Sequence, residues 1–472
     1  MASVDHKHED EVSFRDRIAT VDASGKRVWI YPKKPKGKFY NARTLVSIVL
    51  LAILFAGPFI KINGEPLLLF NILERKFVIF GQIFWPQDFY LFVFGTLVLI
   101  VFIILFTVVY GRIFCGWVCP QTIFMELVFR RIEYWIEGDY TAQRKLDKQA
   151  WNQEKIIKKT AKHIIFFAIA FLIGNTFLAY IIGIEALESI VTDPPAEHLG
   201  GLAAMLIFSF IFYYVFAQFR EQVCTNVCPY GRLQGVLLDR KSIVVAYDYK
   251  RGESRGKFRK GENRDEAGKG DCIDCHQCVQ VCPTGIDIRN GTQLECVNCT
   301  ACIDACDDIM ERVGLPKKLI RYASEENIAE GKKFHFTVRS IAYSVVLLLL
   351  AGVLAGLLVM RTDVETSILR TPGMLYQDQG ENKISNLYNI KIINKTNEAM
   401  PIRLELLDEK GSIRMVGNEE LMLNKQGVAE SALFVIFDRN DLQQMKTEVH
   451  IGVYSGDKLI EKVETNFLGP AN

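Results

Sequence analysis

Eight of the twelve cysteines fall in one stretch, CIDCHQCVQVCPTGIDIRNGTQLECVNCTACIDAC, from Cys272 to Cys306. The spacing is Cys272-x2-Cys275-x2-Cys278-x3-Cys282-Pro283, then Cys296-x2-Cys299-x2-Cys302-x3-Cys306. Three thiolates at three-residue intervals can wrap one cubane cluster while the fourth reaches a different one, so ligation crosses between the two runs. The pattern predicts one [4Fe-4S] cluster on Cys272, Cys275, Cys278 and Cys306 and a second on Cys296, Cys299, Cys302 and Cys282. Gly270, Gly285 and Gly291 suit the tight turns of such winding. A zinc ribbon would leave the extra in-phase thiol of each run surplus. Disulfides would need an oxidising compartment, which the topology below opposes.

The other four cysteines come in two like pairs. GRIFCGWVCPQT carries Cys115-x3-Cys119-Pro120, and EQVCTNVCPYGRLQ carries Cys224-x3-Cys228-Pro229, each just after an apolar block. On helix ends, thiols at i and i+4 share one side, so each pair can grip one metal ion or one edge of a cluster. A third iron-sulfur centre on all four, a soft-metal site favouring Cu(I) and a redox-active dithiol are all compatible with these thiols. The plain alternative is that they are small buried apolar residues, which their duplication at matching depth disfavours. His163 and His198 are further polar candidates, read first as ordinary structural histidines.

The elements that position these residues are membrane spans. The chain has 472 residues and a near-neutral balance of 56 Lys and Arg against 54 Asp and Glu, so bulk charge points to no partner. Five apolar blocks, near residues 44–61, 90–110, 163–184, 201–219 and 338–360, each offer roughly 20 residues, enough to cross a bilayer. The piece from Pro66 to Phe84 carries Glu74, Arg75 and Lys76 and reads as an interfacial loop. No cleavable signal peptide is expected, because the first forty residues are polar. Basic residues 26–43 and 111–162 mark those loops as cytoplasmic, whereas Glu185 to Gly200 holds four acids and no Lys or Arg. Alternation then puts the N-terminus and the eight-cysteine stretch in the cytoplasm and the C-terminal part in the periplasm of a bacterial inner membrane.

The expected fold is an α-helical membrane protein of about five spans with an inserted two-cluster ferredoxin domain and a C-terminal all-β immunoglobulin-like sandwich. Its parts are a charged, mobile tail (1–40), a four-helix membrane domain bearing both Cys-x3-Cys-Pro motifs (41–235), the ferredoxin domain (236–337), the fifth span (338–360) and the sandwich (361–472). Two like hairpins, spans one with two and three with four, would bring the pairs together on a pseudo-symmetry axis. MELVFRRIEYWIEGD reads as an amphipathic helix, at the membrane surface or packed. The basic, Gly-rich loop 244–271 could grip an anionic donor or the clusters. After the fifth span, NLYNIKIINK, PIRLELLD, VAESALFVIFD, TEVHIGVYS and LIEKVETNFL alternate apolar and polar residues as half-buried strands do. Weaker strands near Met374 and Glu420 make about seven.

Taken together, GRIFCGWVCPQT, VCPYGRLQ, VAYDYKRGESRG, the ferredoxin stretch and the terminal sandwich resemble the cytochrome c oxidase accessory proteins of the FixG and CcoG type over nearly the whole chain. The resemblance implies a copper reductase that converts Cu(II) to Cu(I) for insertion into a cbb3-type oxidase. Cys115, Cys119, Cys224 and Cys228 would then handle copper or a further redox step, as catalytic or metal-binding thiols. The implied partners are oxidase assembly factors or copper transporters, with lipid around the spans, no nucleic acid, and a homodimer left open. The competing readings are a quinol-linked electron-transfer subunit and a non-catalytic assembly scaffold.

Overall fold

A computed structural model describes residues 20–470 apart from 22, 23, 25, 63, 73–75, 86, 87, 332–336, 381, 397, 409, 418, 419 and 443. Glu74, Arg75 and most of the N-terminal tail therefore lie outside the described residues. The chain divides into two compact units, one of Met1–Pro58 with Gly95–Ala351 and one of Phe59–Phe94 with Gly352–Asn472.

Among the described residues, five helices are long and apolar enough to cross a membrane: Lys38–Phe59, Phe89–Tyr110, Gln153–Ile182, Leu199–Phe219 and Val338–Val359. The third begins at Gln153 rather than near His163, because Asn152 caps it by accepting from the Lys155 backbone N–H at 2.8 Å. Its first turns carry Lys155, Lys158, Lys159 and Lys162, which the apolar pattern alone does not register. The two hairpins are not packed alike. The third and fourth spans approach closely at Gly174, where an added Cβ would stand 3.3 Å from the Ser209 hydroxyl. Leu51, Leu54 and Phe55 of the first span pack instead on an aromatic core of Phe124, Phe129, Phe166 and Phe216.

The segment after Pro120 is helical to Ile136, with a π-helical stretch over Ile123–Phe129. It is a packed helix rather than one lying on a membrane surface. Trp135 is exposed, but Arg130 is 1 % exposed and pairs with Glu126 at 3.4 Å and Glu221 at 3.7 Å. A guanidinium so placed must be paired, since an isolated buried charge is prohibitively costly.

Around the eight-cysteine stretch, strand Val244–Tyr247 pairs antiparallel with Ile320–Ala323. Val245, Tyr247, Ile286, Ile288, Ile303, Met310, Leu319 and Ile320 form the core beneath the thiols. The described end of the tail is held here. The Lys33 backbone N–H donates to the Gln280 carbonyl at 2.7 Å, Lys33 Nζ to Gln277 Oε1 at 2.8 Å, and Tyr134 OH to the Pro32 carbonyl at 3.0 Å. Trp29 lies between the guanidinium groups of Arg27 and Arg220, at 4.3 and 4.4 Å. The expectation of a mobile tail thus fails for residues 26–37, which are held both by backbone carbonyls and by the side chains of Gln277, Asp139 and Glu221.

In the second unit, Pro66–Phe84 is no simple loop. Leu68–Asn71, Lys76–Ile79 and Gln82–Phe84 make a three-stranded antiparallel sheet around Leu69, Val78 and Ile83. It belongs with the C-terminal β-domain rather than with the membrane helices. Asp88, fully buried, accepts from Lys395 at 2.7 Å and Arg361 at 2.9 Å within the same unit.

The described residues of the C-terminal domain form a sandwich of nine strands: β1 (Val364–Arg370), β2 (Gln377–Gly380), β3 (Lys383–Asn394), β4 (Met400–Leu406), β5 (Ser412–Val416), β6 (Glu420–Leu423), β7 (Val428–Asp438), β8 (Lys446–Ser455) and β9 (Lys458–Leu468). One sheet runs β5-β7-β3-β1, with β2 also on β3, and the other β6-β4-β8-β9. Strict alternation sends Tyr388, Ile390 and Ile392, Leu433 and Val435, and Val449, Ile451 and Val453 into the shared core. The five strong strands appear as expected. The weaker ones near Met374 and Glu420 appear as β2 and β6, and β1 and β5 are additional.

Candidate functional site

The two cysteine runs fold as copies of each other. In Cys272–Cys278, Asp274 and His276 have φ of 53° and 54°; in Cys296–Cys302, Asn298 and Thr300 have φ of 54° and 65°. Left-handed conformation at matched non-glycine positions is held only where the surroundings demand it. It curls each run around a point and then starts a helix, Gln277–Gln280 in one case and Ala301–Val313 in the other. Gly285, at φ 75°, makes the turn after Cys282-Pro283 and packs against Ile30.

The thiols fall into two neighbourhoods. Cys306 lies close enough to Cys272, Cys275 and Cys278 for their charges to act on it. Cys282 stands in the same relation to Cys296, Cys299 and Cys302. Burial pushes Cys278 and Cys296 up to about 12 and Cys299 to about 11, and raises Cys282, Cys302 and Cys306 as well. Such thiols stay protonated until a metal centre displaces the proton.

The residues present fit iron-sulfur clusters better than single ions. One tetrahedral zinc, with Zn–S near 2.3 Å, would draw its sulfurs to within about 3.8 Å of each other. Among the described residues, the groups of three or more ligand atoms lying within 4.8 Å of one another are Asp193–Glu197–His198 and Glu448–His450–Glu464, and no cysteine set is that tight. Beside the second set, Arg43 Nη2, Arg112 Nε and Asn298 Nδ2 are buried donors without a partner, a lining suited to an anionic group.

The Cys-x3-Cys-Pro pairs do not sit on one helical face. Cys115 is in the short helix Ile113–Trp117, but Cys119 is extended at φ −58°, ψ 124° and caps the next helix before Pro120. Cys224 is in the π-helical turn Val223–Val227, and Cys228, at φ −68°, ψ 114°, caps Pro229–Leu237. Proline disfavours α-helical backbone in the residue before it, so each pair straddles a helix break. The breaks aim backbone N–H groups at sulfur: Gly231 N–H reaches Cys228 Sγ at 3.4 Å, and Gln121 and Thr122 N–H face Cys119. The Gln234 amide, fully buried, sits 3.4 Å from Cys115 Sγ.

The two pairs nevertheless meet. The charge of each of Cys115, Cys119 and Cys228 acts on Cys224, which burial pushes up to about 12, while burial takes Cys115 to about 11. Cys115 and Cys224 also pack against Val281, Val297, Cys299 and Ala301, alongside Cys302. The quartet therefore adjoins the second cysteine set. Cavities of about 20 Å³ open beside Cys224 and beside Cys272–Cys278, room for a water or an ion but not for a quinone ring.

Three family models match this chain: a 4Fe-4S dicluster domain over residues 219–325, a 4Fe-4S binding domain over 92–140, and the IG-like fold at the C-terminal of FixG over 354–470. Protein RdxA of Cereibacter sphaeroides is 36 % identical, covering 80 % of this chain and 82 % of its own. Nitrogen fixation protein FixG of Rhizobium meliloti is 34 % identical, covering 81 % and 79 %. The chain belongs to the FixG family. It is a membrane protein with 4Fe-4S domains that transfers electrons. A crystal structure of a FixG-related protein from Vibrio parahaemolyticus aligns with 23 % of this chain and 97 % of its own, at 19 % identity and TM-score 0.20.

In this FixG-family chain the 92–140 match spans Cys115 and Cys119, apart from the ferredoxin stretch. The histidines stand elsewhere: Tyr213 OH lies 2.8 Å from His163 Nδ1, and His198 Nε2 is 3.0 Å from Asp193. The basic loop is largely self-paired, Arg251 with Asp271 at 2.7 Å and Lys269 with Glu262 at 2.5 Å, and Arg264 binds the Gly270 and Cys272 carbonyls. The sequence reading overlooked Gly116, Arg112, Gln234 and Asn298, and counted Arg43 only as a cytoplasmic charge. Their placement at span ends and between the cysteines of a run was the available signal.

Proposed function

We propose that this protein is a cupric reductase of the bacterial inner membrane that prepares Cu(I) for cbb3-type oxidase assembly. On this reading the ferredoxin stretch and all twelve thiols face the cytoplasm and the sandwich is periplasmic, as the basic loops favour. The observation that carries the proposal is the meeting of Cys115, Cys119, Cys224 and Cys228 beside the Cys282, Cys296, Cys299 and Cys302 set.

When bound, the two [4Fe-4S] clusters supply one-electron transfer, one electron for each Cu(II) that becomes Cu(I), replenished by a reduced one-electron carrier of the cytoplasm or membrane. Cys272, Cys275, Cys278 and Cys306 hold one cluster, and Cys282, Cys296, Cys299 and Cys302 the other. The substrate ion binds the membrane-side quartet as thiolates, releasing their protons, and thiolate donors favour Cu(I) over Cu(II). The Gly231 N–H and the Gln234 amide hold Cys228 and Cys115 in orientation, and the surrounding apolar residues exclude water from the sulfurs. The sandwich supplies no thiol and acts in docking to assembly factors or copper transporters.

The test is anaerobic. Dithionite-reduced, desalted protein in detergent is mixed with Cu(II) and a chromogenic Cu(I) chelator. One Cu(I) should appear per electron lost, and Cys115→Ser with Cys224→Ser should abolish it while iron content holds. Cluster reoxidation equally fast without the quartet, or none in the wild type, would sink the proposal. Rapid cluster reduction by a quinol in place of the copper response would favour the electron-transfer subunit.

A further inference from the structure

Two buried arginines join the quartet to the second cysteine set. Arg43, on the first span and 3 % exposed, donates Nε to the Gly116 carbonyl at 2.9 Å and Nη1 to the Cys299 carbonyl at 2.8 Å. Arg112, just past the second span and 5 % exposed, donates to the carbonyls of Gly231, Leu294 and Cys296, the last at 3.4 Å. Gly116 lies between Cys115 and Cys119, and Gly231 follows Cys228. Each guanidinium thus ties one Cys-x3-Cys-Pro loop to one end of Cys296–Cys299.

The hydrogen-bond partners of both guanidinium groups are neutral carbonyls, and the carboxylates of Asp304 and Glu126 reach Arg43 only through space. Arg43 acts electrostatically on Cys299 and Arg112 on Cys296. Glu126 also reaches Cys299, but it is paired with Arg130. The first set is surrounded differently. Its arginine, Arg289, is held by Asp287 at 2.6 Å and Asp274 at 2.5 Å, and the charges of Asp287 and Asp307 act on Cys278 and Cys306. Two sites of equal thiol content therefore differ in local charge: arginines held by carbonyls adjoin one, and at the other the arginine is paired directly with two carboxylates.

Reduction adds negative charge to a cluster, so a nearby buried cation favours the reduced form and a nearby carboxylate opposes it. We infer that Arg43 and Arg112 are positioning residues that hold the Cys282/Cys296/Cys299/Cys302 site at a higher reduction potential than the Cys272/Cys275/Cys278/Cys306 site. Electrons are thereby directed from the first site to the second, next to the membrane thiols. This rests on the assignment of the eight thiols to two clusters and is independent of copper as the acceptor.

The experiment is a dye-mediated redox titration of the full-length protein in detergent, read by electron paramagnetic resonance. The transition absent from a Cys296→Ser variant marks the second site. Arg43→Gln and Arg112→Gln should each shift that transition alone, by at least tenfold in its reduction equilibrium, or 59 mV lower for one electron. Arg43→Lys keeps the charge and should stay within a third of that shift. Equal movement of both transitions, movement of neither, or a Lys variant as displaced as the Gln variant would overturn the inference. If Arg43→Gln loses iron at the second site, Arg43→Lys and Arg112→Gln decide by the same criteria. Normal shifts alongside failed copper reduction would instead fault the proposed substrate.

Discussion

Gly116→Ala should uncouple the membrane thiols from the ferredoxin stretch without removing a ligand. A Cβ at Gly116 would stand 2.6 Å from both the Asn298 and the Val297 carbonyl oxygens. Both obstacles are backbone, so no side chain can swing aside, and relief requires the Cys115–Cys119 loop or the Cys296–Cys299 run to retreat by about half an ångström or more. Overpacking of this kind costs about 1–3 kcal/mol. In a unit this large, each kcal/mol lowers Tm by roughly 2 °C. The retreat also strains the Arg43 bridge, whose two ends are the Gly116 and Cys299 carbonyls. The assay pairs thermal unfolding with the rate at which Cu(II) reoxidises the reduced protein. Iron content should be unchanged, Tm lower by a few degrees and the rate clearly reduced. Gly352→Ala, where an added Cβ meets nothing within 4 Å, serves as the control. A Gly116→Ala protein with wild-type melting and wild-type rate would refute the claim that backbone approach at this point couples the two centres.

Cys306→Ser and Cys282→Ser should each remove about half of the iron, from opposite sites, because ligation crosses between the runs; iron analysis after anaerobic reconstitution checks this, and loss of the same signal in both variants would contradict it. Arg130→Met leaves half-buried Glu126 without its cation and Glu221 with Arg27 alone, and should destabilise the protein by about 3 kcal/mol, the low end for a broken buried pair, with partial recovery on adding Glu126→Gln. Asp88→Asn should cost a similar amount in the other unit, read by thermal melting, since Lys395 and Arg361 lose a buried partner. Burial works to raise the Asp88 value, but the Lys395 hydrogen bond and the Arg361 charge outweigh it and hold the carboxyl below the ordinary Asp range. Its stabilisation is therefore complete above about pH 4 and is lost as pH falls further, so acid melting curves of wild type and Asp88→Asn should converge there.

The 4Fe-4S character of the ferredoxin stretch was legible because its chemistry is local: three-residue spacing of cysteines is a property of the chain itself. The sandwich was legible because its strands are long enough to show alternation, as in β3, β7, β8 and β9. The sheet within 66–84 escaped because strands of three or four residues, such as Gln82–Phe84, show no period. The helix breaks at Cys119 and Cys228 were written in Pro120 and Pro229 but outweighed by the i, i+4 spacing. The bridges from Arg43 and Arg112 use carbonyl partners, which any sequence presents, and residues 26–37 dock on partners distant in sequence, such as Gln277 and Glu221, so only the fold reveals them.

The ferredoxin stretch is nearly two-fold symmetric, with equal spacing and equal left-handed turns at Asp274, His276, Asn298 and Thr300. A symmetric pair of sites has no reason to send an electron one way. The Asp274–Arg289–Asp287 cluster breaks the symmetry from within, and Arg43 and Arg112 break it from outside: they come from the ends of two spans, each anchored at its other end to a Cys-x3-Cys-Pro loop. The contacts that dock the ferredoxin stretch on the membrane helices are thus the same ones that charge one of its sites. Detaching the stretch from the membrane would lose the direction of transfer as well as its destination, a reason for its insertion between the fourth and fifth spans rather than its existence as a separate carrier.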